Sequence, residues 1–534
     1  MLESGALIGF VIVGIVLVVG IYGFWRVKIR AGKNYLRDNP DKKGQTDSFG
    51  TFFLGGGKVG SLRTTNNNWG LCFAFANSIW YYTYLGYYYG VYILFLQVAW
   101  SIALVFIARH LSKYLAATND GTIHGFIGHH YGARASILAA TATLIGYTLN
   151  IGFELFYSSH LLLVSTGVTA PQYELLLAVI VALFVGGYCA LGGYIASVET
   201  DLIQNSMGVV ALLMLLWLVR STLLDGSSLH QVLSASKAVH TPLSFIIGVV
   251  VFSFFFNLVD MATWQSIAAN RSLSADKLHD VRNGFYVAAS MQMIAPALLA
   301  TLFGAALRIT TEGIGDDAYF IAVLRPIFGA MTPGRGLFIG LLFLGFISVT
   351  ISSAGGYLLA AMQALAVDIF KRKEAKELLR IDLTKEVKME IEQEIVVWVK
   401  QRMVLVVVTM TVIFWGLWFG LGKIDKSGLA FQFQFVMYGA ATTLVPCVGY
   451  RLFWRTTDSA SWKSNAGFWS ILIGLFCVIV PFGLAEIPPL HLDTALQKVH
   501  LVPDDISNLT PLFGLVASLI TFVFVRMREV SRAR

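Results

Sequence analysis

The chain has 534 residues, of which 56% are hydrophobic and 13% are charged, and its mean hydropathy is +0.69. An average soluble domain carries roughly 25% charged residues, so this composition excludes an ordinary water-soluble enzyme. The net charge of +8 comes from basic residues in short breaks between apolar runs, a pattern typical of cationic membrane-protein loops rather than of a nucleic-acid-binding surface. The four cysteines all lie inside apolar runs, which predicts neither a disulfide framework nor a transition-metal site.

The apolar runs are long enough to cross a membrane repeatedly. A transmembrane helix needs about 20 mostly apolar residues, and this length predicts an all-α polytopic membrane protein with about 13 transmembrane helices in a single domain. In chain order, the predicted spans are 5–25, 69–89, 90–108, 135–163, 174–193, 198–219, 243–260, 284–307, 336–366, 403–421, 429–450, 464–484 and 510–527.

The charges between the spans predict an orientation. Most of the 39 Lys and Arg residues fall in alternate loops. Because cytoplasmic loops carry the excess of basic residues, we expect the N-terminus outside and the C-terminus in the cytoplasm, in the plasma (inner) membrane. Residues 368–402 are rich in charge, and their apolar positions recur every four residues. This pattern predicts a cytoplasmic amphipathic helix that lies at the membrane surface or against the protein itself.

Three segments follow one another in the order known from one family of membrane proteins. FFLGGGKVG at 52–60 is close to a Phe-Leu-Gly-Gly-Arg-Ser element, and YCALGGYIASVETDLIQ at 188–204 keeps a Tyr…Gly-Gly…Thr-Asp-x-x-Gln pattern. ISVTISSAGGYLLAAMQALAVDIFKR at 347–372 is similar to a Ser-Ser/Thr helix that ends in Asp-Ile-Tyr-Lys. GTIHGFIGHHYG at 121–132 is a weaker match to Thr-x-x-Glu-Phe-Leu-x-x-Arg-Tyr-Gly. Together these segments resemble the sodium/solute symporter family, which includes bacterial proline, sugar and pantothenate symporters.

The resemblance implies a leucine-transporter-type fold with a 5+5 inverted repeat. Residues 69–219 would form the first repeat and residues 243–450 the second, so that spans 2–11 make up the pair. The span at 5–25 would be an extra N-terminal helix, and residues 464–534 would hold two C-terminal helices. Substrate and ion would bind near the midplane, where the first helix of each repeat unwinds. The implied activity is Na⁺-coupled symport of a small polar organic solute by alternating access, and the protein would not be an enzyme.

The resemblance also implies a sodium site. Sodium is a hard cation that prefers oxygen ligands, and inside a bilayer these come from hydroxyls and from carbonyls of an unwound helix. The implied ligands are the hydroxyls of Ser352 and Ser353 and the carbonyls of Val349, Phe75 and Ser78. The two serines could instead bond to their own helix backbone, as buried serines often do.

Two carboxylates are expected to have gating or structural roles inside the membrane, where such groups are costly and usually functional. Asp201 belongs to the Thr-Asp-x-x-Gln element. Because Gly355 and Gly356 offer no side-chain oxygen for a second Na⁺, we expect one Na⁺, with Asp201 tuning the field or structuring an inner gate. Asp260 is expected to serve a similar gating or structural role at the end of its span.

Aromatic and polar side chains on several spans predict a pocket for the solute. Residues 80–90 read WYYTYLGYYYG, and Tyr and Trp offer flat apolar faces with polar tips, although aromatic residues also line membrane interfaces. Asn150, Glu154 and Tyr157 follow one another at i, i+4 and i+7, which makes one polar stripe on a helix. The predicted substrate-binding residues are Asn77, Trp80, Tyr81, Tyr84, Asn150, Glu154, Asn257 and Tyr438. Glu154 with aromatic neighbours suits a cationic or amine-bearing solute, and a neutral polar solute fits nearly as well.

Other interpretations stay open. The chain could be a symporter-like membrane sensor or binding module, or it could couple uptake to protons carried by Glu154 or Asp201. A membrane-embedded enzyme is disfavoured, because the His pair at 129–130 has no HExxH or GxSxG context. The expected partners are the solute and the lipid bilayer, without nucleic acid and without an obligatory protein partner.

Overall fold

The computed structural model describes residues 4–38, 49–57, 59–165, 171–226, 230, 232, 241–274, 277–310, 332–377, 384–421, 429–454, 464–486 and 503–533. Within these ranges every regular element is helical. The first part of the chain forms α1 (Ser4–Asp38), α2 (Phe49–Leu54), α3 (Ser61–Cys72), α4 (Tyr81–Tyr89), α5 (Leu94–Arg109), α6 (Leu111–Ala117), α7 (Ile123–Tyr131), α8 (Ala133–Ser165), α9 (Pro171–Leu218) and α10 (Arg220–Leu224).

The second part continues with helices of similar length. They are α11 (Leu243–Val259), α12 (Met261–Ala268), α13 (Leu278–Gln292), α14 (Leu299–Thr310), α15 (Pro333–Ala364), α16 (Arg372–Glu377), α17 (Lys385–Leu421), α18 (Leu429–Thr442), α19 (Val445–Gly449), α20 (Ala466–Glu486) and α21 (Pro503–Ala533). Segments of π-helix occur at Phe75–Trp80, Met293–Leu298, Leu365–Phe370 and Tyr450–Trp454, each continuous with at least one neighbouring helix.

The apolar helices confirm an integral membrane protein. Among the described residues, nine helices are long and apolar enough to cross a membrane. One of them, α9, covers the two predicted spans 174–193 and 198–219 and turns at Gly193, whose φ of 57° suits glycine. The predicted span 5–25 lies within α1, of which Val11–Val27 is an apolar segment, and the predicted spans 69–89 and 429–450 correspond to interrupted helices. The total of about 13 spans stays a prediction.

Two of the spanning helices are broken near their middle. The first runs from Ser61 to Cys72, then takes extended backbone at Phe73 (φ −108°, ψ 95°) and Ala74 (φ −128°, ψ 164°) before helix resumes at Phe75. This span therefore begins earlier than the predicted residue 69. Broken helices of this kind free backbone groups that can serve as ligands inside a membrane.

The second break lies between α11 and α12. Asp260 alone takes extended backbone there (φ −68°, ψ 125°), and helix continues on both sides. The predicted span 243–260 thus ends at the break, and α12 carries the same span on to Ala268. The two breaks fall in the first helix of each predicted repeat, where the leucine-transporter-type fold requires them.

The predicted surface helix at 368–402 is divided in the structure. Residues 365–370 are π-helix, Arg372–Glu377 is a short helix, and residues 378–383 lie outside the described residues. Residues 385–402 are the first part of α17, which continues without interruption to Leu421. Ile395 on this helix is fully buried, so this part of the segment packs into the protein.

Helix α15 lies at the centre of the fold. It begins with Thr332 as its N-cap and Pro333 in its first turn, a favourable start because proline has no N–H to leave unsatisfied. Most of its 32 residues are buried, and it packs against α1, α3, α8, α9 and the first π-helix. A helix buried on all sides is a suitable carrier for a site inside the protein.

Candidate functional site

The first break is held by Glu154, a fully buried carboxylate on α8. Its Oε1 accepts the backbone N–H of Phe75 at 2.8 Å, and its Oε2 accepts those of Ala76 and Asn77 at 3.1 and 3.0 Å. The Thr350 hydroxyl of α15 donates to Oε1 at 2.8 Å. The first N–H groups of a helix have no partner in the helix, and a negative charge is stabilising there. Glu154 therefore caps the helix that resumes after the break and ties it to α15.

The second break is held by its own carboxylate. The Oδ2 of Asp260 accepts the backbone N–H and the hydroxyl of Thr263 at 2.8 and 2.9 Å. The Tyr147 hydroxyl donates to Asp260 Oδ1 at 2.6 Å and accepts the backbone N–H of Ala262 at 2.8 Å. These bonds satisfy the N-terminus of α12 as an N-cap aspartate does.

Helix α8 reaches both breaks. Tyr147 binds at the second break and Glu154 at the first, and Asn150 lies between them on the same face, because positions three and four apart are neighbours on a helix. Asn77 Nδ2 at the first break lies 3.3 Å from Asn150 Oδ1 and 3.1 Å from Glu154 Oε2. One stripe of α8 thus connects the two points where the spanning helices are unwound.

A small cavity lies between the broken helices, α8 and the helices that face them. Its volume is about 20 Å³, and since one water needs about 10–15 Å³, it has room for one water molecule. Among the described residues that line it, none carries a formal charge. The cavity is therefore small and has an uncharged, hydrogen-bonding lining.

The structure brings four of the predicted substrate-binding residues to this cavity, namely Asn77, Tyr81, Asn150 and Tyr438. Trp80 and Tyr84 pack on each other beside it, with ring centroids 5.5 Å apart. Asn257 is buried and donates to the Ser253 carbonyl of its own helix at 2.9 Å. Glu154 turns its oxygens to the backbone at the break.

Three glutamines that are not among the predicted substrate-binding residues also line the cavity. They are Gln97 on α5, Gln292 on α13 and Gln434 on α18. Gln292 Oε1 and Gln434 Nε2 are buried and have no hydrogen-bond partner in the structure. An amide inside an apolar span was the available signal, because a buried amide requires a partner.

The predicted sodium ligands on α15 are all buried. Ser352 Oγ donates to Asp201 Oδ1 at 2.7 Å. A methyl group placed at Gly70, near the end of α3, would lie 2.7 Å from Ser352 Oγ and 3.4 Å from Asn205 Nδ2. Ser352, Asp201 and Asn205 therefore converge on the last turn of α3 before the first break.

Ser353, the neighbouring residue, has a buried hydroxyl without a hydrogen-bond partner in the structure. A buried hydroxyl left unpaired costs free energy, so this oxygen can serve an additional ligand. Neither serine therefore bonds to its own helix backbone, since Ser352 donates to Asp201 and Ser353 has no partner among the described residues. Val349, one turn earlier, lies with Phe73 against Gly208 of α9.

The other two predicted ligands lie in the first π-helix, which packs against α15. The Ser78 hydroxyl donates to the Cys72 carbonyl at 2.5 Å and accepts the Ala74 N–H at 3.1 Å, so it bridges the break. The Ser78 carbonyl accepts the backbone N–H of Tyr81, which leaves one lone pair, since a carbonyl has two. The Phe75 ring stacks on Phe346 of α15 with centroids 4.1 Å apart.

The oxygen-rich donor set fits Na⁺ in its chemistry. Hydroxyls, a carboxylate and main-chain carbonyls are the hard ligands that such a cation takes. The unpartnered hydroxyl of Ser353 and the Ser352–Asp201 pair would hold the ion from α15 and α9. Carbonyls at the first break would complete its shell.

Comparisons with known proteins give a fold. No protein-family model and no curated protein sequence matches this chain. Among solved structures, a Na⁺-coupled sialic acid symporter in a substrate-bound outward-open state is similar over 97% of this chain and 98% of its own, with a TM-score of 0.65 and 14% identity. Mhp1, a nucleobase-cation-symport-1 family transporter in a closed conformation with bromovinylhydantoin, is similar over 90% of this chain and 94% of its own, with a TM-score of 0.48 and 13% identity. MhsT in complex with L-phenylalanine is similar over 88% of this chain and 98% of its own, with a TM-score of 0.45 and 14% identity.

The similarity to the sialic acid symporter spans nearly the whole of both chains, and the helix breaks lie where a transporter of this type has them. At this level of sequence identity the similarity shows the fold alone. This chain is an all-α polytopic membrane protein with the leucine-transporter-type 5+5 inverted-repeat fold.

Proposed function

We propose that this protein is a secondary active transporter of the sodium/solute symporter type, which takes up a small polar organic solute together with Na⁺ by alternating access. Residues 69–219 and 243–450 would form its two repeats, in a plasma membrane with the N-terminus outside and the C-terminus in the cytoplasm. The observation that carries the proposal is the buried, unpartnered hydroxyl of Ser353 beside the Ser352–Asp201 pair, on the helix that packs against the first break.

The proposed solute is uncharged and polar. The central cavity offers amides and tyrosine hydroxyls. Among them, the unpartnered Gln292 Oε1 can accept hydrogen bonds and the unpartnered Gln434 Nε2 can donate them. Glu154, the carboxylate that would favour a cationic solute, already accepts three backbone N–H groups. A cation in the cavity would therefore lack a free counter-charge among the described lining residues.

The same bonds argue against Glu154 as a proton carrier. Backbone N–H groups can only donate, so both of its oxygens must act as acceptors. Protonation would place a hydrogen against one of these donors and weaken the cap. This arrangement favours Na⁺ over H⁺ as the coupled ion.

Replacement of Ser353 tests the sodium site. We expect Ser353→Ala to weaken Na⁺ binding by roughly tenfold, because the substitution removes one oxygen ligand. A tenfold change in affinity corresponds to about 1.4 kcal/mol of binding free energy. The measurement is ²²Na⁺ binding to the purified protein, and in parallel the rise in thermal unfolding midpoint when NaCl replaces choline chloride. Ser348→Ala is the matched control, since the Ser348 hydroxyl is buried on the same helix but donates to the Leu344 carbonyl at 2.5 Å.

Uptake into proteoliposomes then tests the activity. A panel of neutral polar solutes and matched amines is offered with Na⁺, K⁺ or choline outside. Accumulation of a neutral solute only with Na⁺ supports the proposal. Equal sodium affinity in Ser353→Ala and Ser348→Ala contradicts the site, whereas pH-dependent uptake without Na⁺ indicates proton coupling, and sodium-dependent binding without uptake indicates a sensor.

A further inference from the structure

A long apolar groove lies far from the central cavity, between α21 and the end of the eleventh predicted span. Its volume is about 940 Å³. Pro446 and Gly449 of α19 and Tyr450 and Phe453 of the following π-helix form one wall, and α21 forms the other from Leu519 to Ser531. No residue of this groove belongs to the proposed sodium or solute site.

The groove changes character along its length. Leu519 and Val523 line it toward one end, and Arg526 and Ser531 toward the other. The stretch of α21 from Leu519 to Ser531 is about 18 Å long at 1.5 Å per residue, close to the roughly 15 Å of hydrocarbon in one leaflet. An elongated molecule with an apolar tail and a polar head matches this gradient.

One cationic side chain lines the groove, and two others lie beside residues that line it. Arg526 lines it, and Lys113 Nζ lies 4.7 Å from the ring centroid of Phe453, another lining residue. Arg451, beside the lining residue Tyr450, lies with its guanidinium carbon 5.8 Å from the Tyr131 ring centroid. Glu529 Oε2 lies 3.5 Å from Arg526 Nη1, so these named side chains carry three positive charges and one negative charge.

We propose that the groove binds an anionic phospholipid of the adjacent leaflet. An acyl chain lies along the apolar wall from Leu519 toward Met527, and the phosphate group lies at the end that Arg526 lines. Arginine and lysine both bind phosphate, and an anionic headgroup adds charge that a zwitterionic lipid lacks. Trp454, which lines the groove and is 83% exposed, provides an aromatic side chain of the kind found at headgroup level.

The test uses the full-length protein and two lipids with identical acyl chains, phosphatidylglycerol and phosphatidylcholine. Retained lipid is counted by native mass spectrometry, and the thermal unfolding midpoint is measured with each lipid and without lipid. We expect wild-type protein to prefer phosphatidylglycerol. Arg526→Gln should lower its affinity for that lipid by roughly fivefold, since one basic residue near an anionic surface is worth about 1 kcal/mol.

Two further variants separate charge from shape. Arg528→Gln changes the same charge on the same helix, but Arg528 is exposed and does not line the groove, so it should leave the preference unchanged. Gly449→Phe fills the groove without altering charge, because a methyl group at Gly449 would meet nothing within 4 Å. This variant should lose both lipids.

Three results would overturn the proposal. Equal effects of Arg526→Gln and Arg528→Gln would show only general attraction to a charged surface. Unchanged lipid retention in Gly449→Phe would place the lipid elsewhere. Equal retention of phosphatidylglycerol and phosphatidylcholine by the wild-type protein would leave the basic side chain without a role in lipid binding.

Discussion

Glu154 makes an unusual use of a carboxylate inside a membrane. A charge there is costly and needs partners, and the three backbone N–H groups at the first break are equally costly when buried without acceptors. The carboxylate accepts the hydrogen bonds that these N–H groups need, and the N–H groups stabilise its charge. The break in the helix is therefore maintained by partners that are buried together. The residue therefore stabilises a non-helical backbone that local sequence alone would not favour.

Replacement of this carboxylate by its amide should destabilise the protein. Glu154→Gln keeps the shape but turns an NH₂ group toward backbone donors that can only donate, so at least one of them loses its acceptor. We expect a loss of about 2–3 kcal/mol in the free energy of unfolding, because the bonds to a charged group are the strong ones. The midpoint of thermal unfolding in detergent measures it.

Glu199→Gln is the control for this substitution. Glu199 Oε1 lies 2.5 Å from Arg63 Nη2, and both side chains are more than one third exposed. Exposed ion pairs contribute roughly 0–1 kcal/mol, so the midpoint should move little. If Glu154→Gln were as mild as Glu199→Gln, the cap at the first break would not be stabilising.

The polar stripe on α8 shows what sequence reasoning can recover at single positions. Its i, i+4 spacing correctly placed Asn150 and Glu154 on one face, and the structure adds Tyr147 to that face. The hydrogen-bond partners of this face could not be predicted from the pattern. Thr350, for example, donates to Glu154 but lies 196 positions away from it in the sequence. A periodic pattern tells which side chains share a face of one helix, but it does not tell which element that face meets.

At the scale of elements, α4 and α14 approach each other through glycines. A methyl group at Gly86 would lie 3.0 Å from the Thr301 Cα and 2.9 Å from its carbonyl carbon, and one at Gly304 would lie 2.9 Å from the Tyr87 nitrogen. Contacts this short with backbone cannot be relieved by turning a side chain. The two helices therefore pack backbone to backbone, and small residues permit this in membrane proteins.

Gly86→Ala should accordingly destabilise the pair of helices. Alanine favours an isolated helix over glycine by about 1 kcal/mol, but here its methyl group overlaps the backbone of α14, and overpacking typically costs about 1–3 kcal/mol. We expect a lower unfolding midpoint and a lower yield of monodisperse protein on size-exclusion chromatography.

Gly187→Ala provides the opposite case. A methyl group at Gly187 on α9 would meet nothing within 4 Å, so helix propensity alone should act and the midpoint should stay equal or rise. A rise in the midpoint of Gly86→Ala as well would mean that α4 and α14 are farther apart than the structure has them.

The helix breaks mark the limit of prediction for elements. Length and apolarity predicted the nine spanning helices among the described residues. Residues 72–75, however, read Cys-Phe-Ala-Phe without glycine or proline, and nothing local interrupts the helix there. The interruption comes from side chains that replace the lost helical bonds, such as Ser78 on the Cys72 carbonyl. A family resemblance supplied the expectation of a break, and tertiary hydrogen bonds explain it.

For the molecule as a whole, the two helix breaks and the small central cavity are connected by the same helices. Helix α8 binds at both breaks, and α15 binds Glu154 through Thr350 and Asp201 through Ser352. A ligand bound at Ser352 and Ser353 would therefore contact α15, the helix whose Thr350 helps to hold the first break through Glu154. If Na⁺ binds two conformations differently, it shifts the population between closed and open cavities.

The native thiols can report this shift. Cys72 lines the cavity, and its Sγ accepts the Trp100 Nε1–H at 2.9 Å. The cavity has a volume of about 20 Å³, which is too small for a thiol reagent. In a variant that keeps only Cys72, modification must therefore wait for an opening, and its rate measures how often the pathway opens.

We expect Na⁺ to change that rate by about tenfold relative to K⁺, which corresponds to a coupling free energy of about 1.4 kcal/mol. The measurement is the rate of reaction with a methanethiosulfonate reagent, with Cys189, Cys447 and Cys477 replaced by alanine. Ser353→Ala in this background should remove the difference between Na⁺ and K⁺. A variant that keeps only Cys447, which is buried on α19 and does not line the cavity, should react slowly in both salts. A Cys72 rate that is the same in both salts would mean that sodium binding does not control access to the cavity.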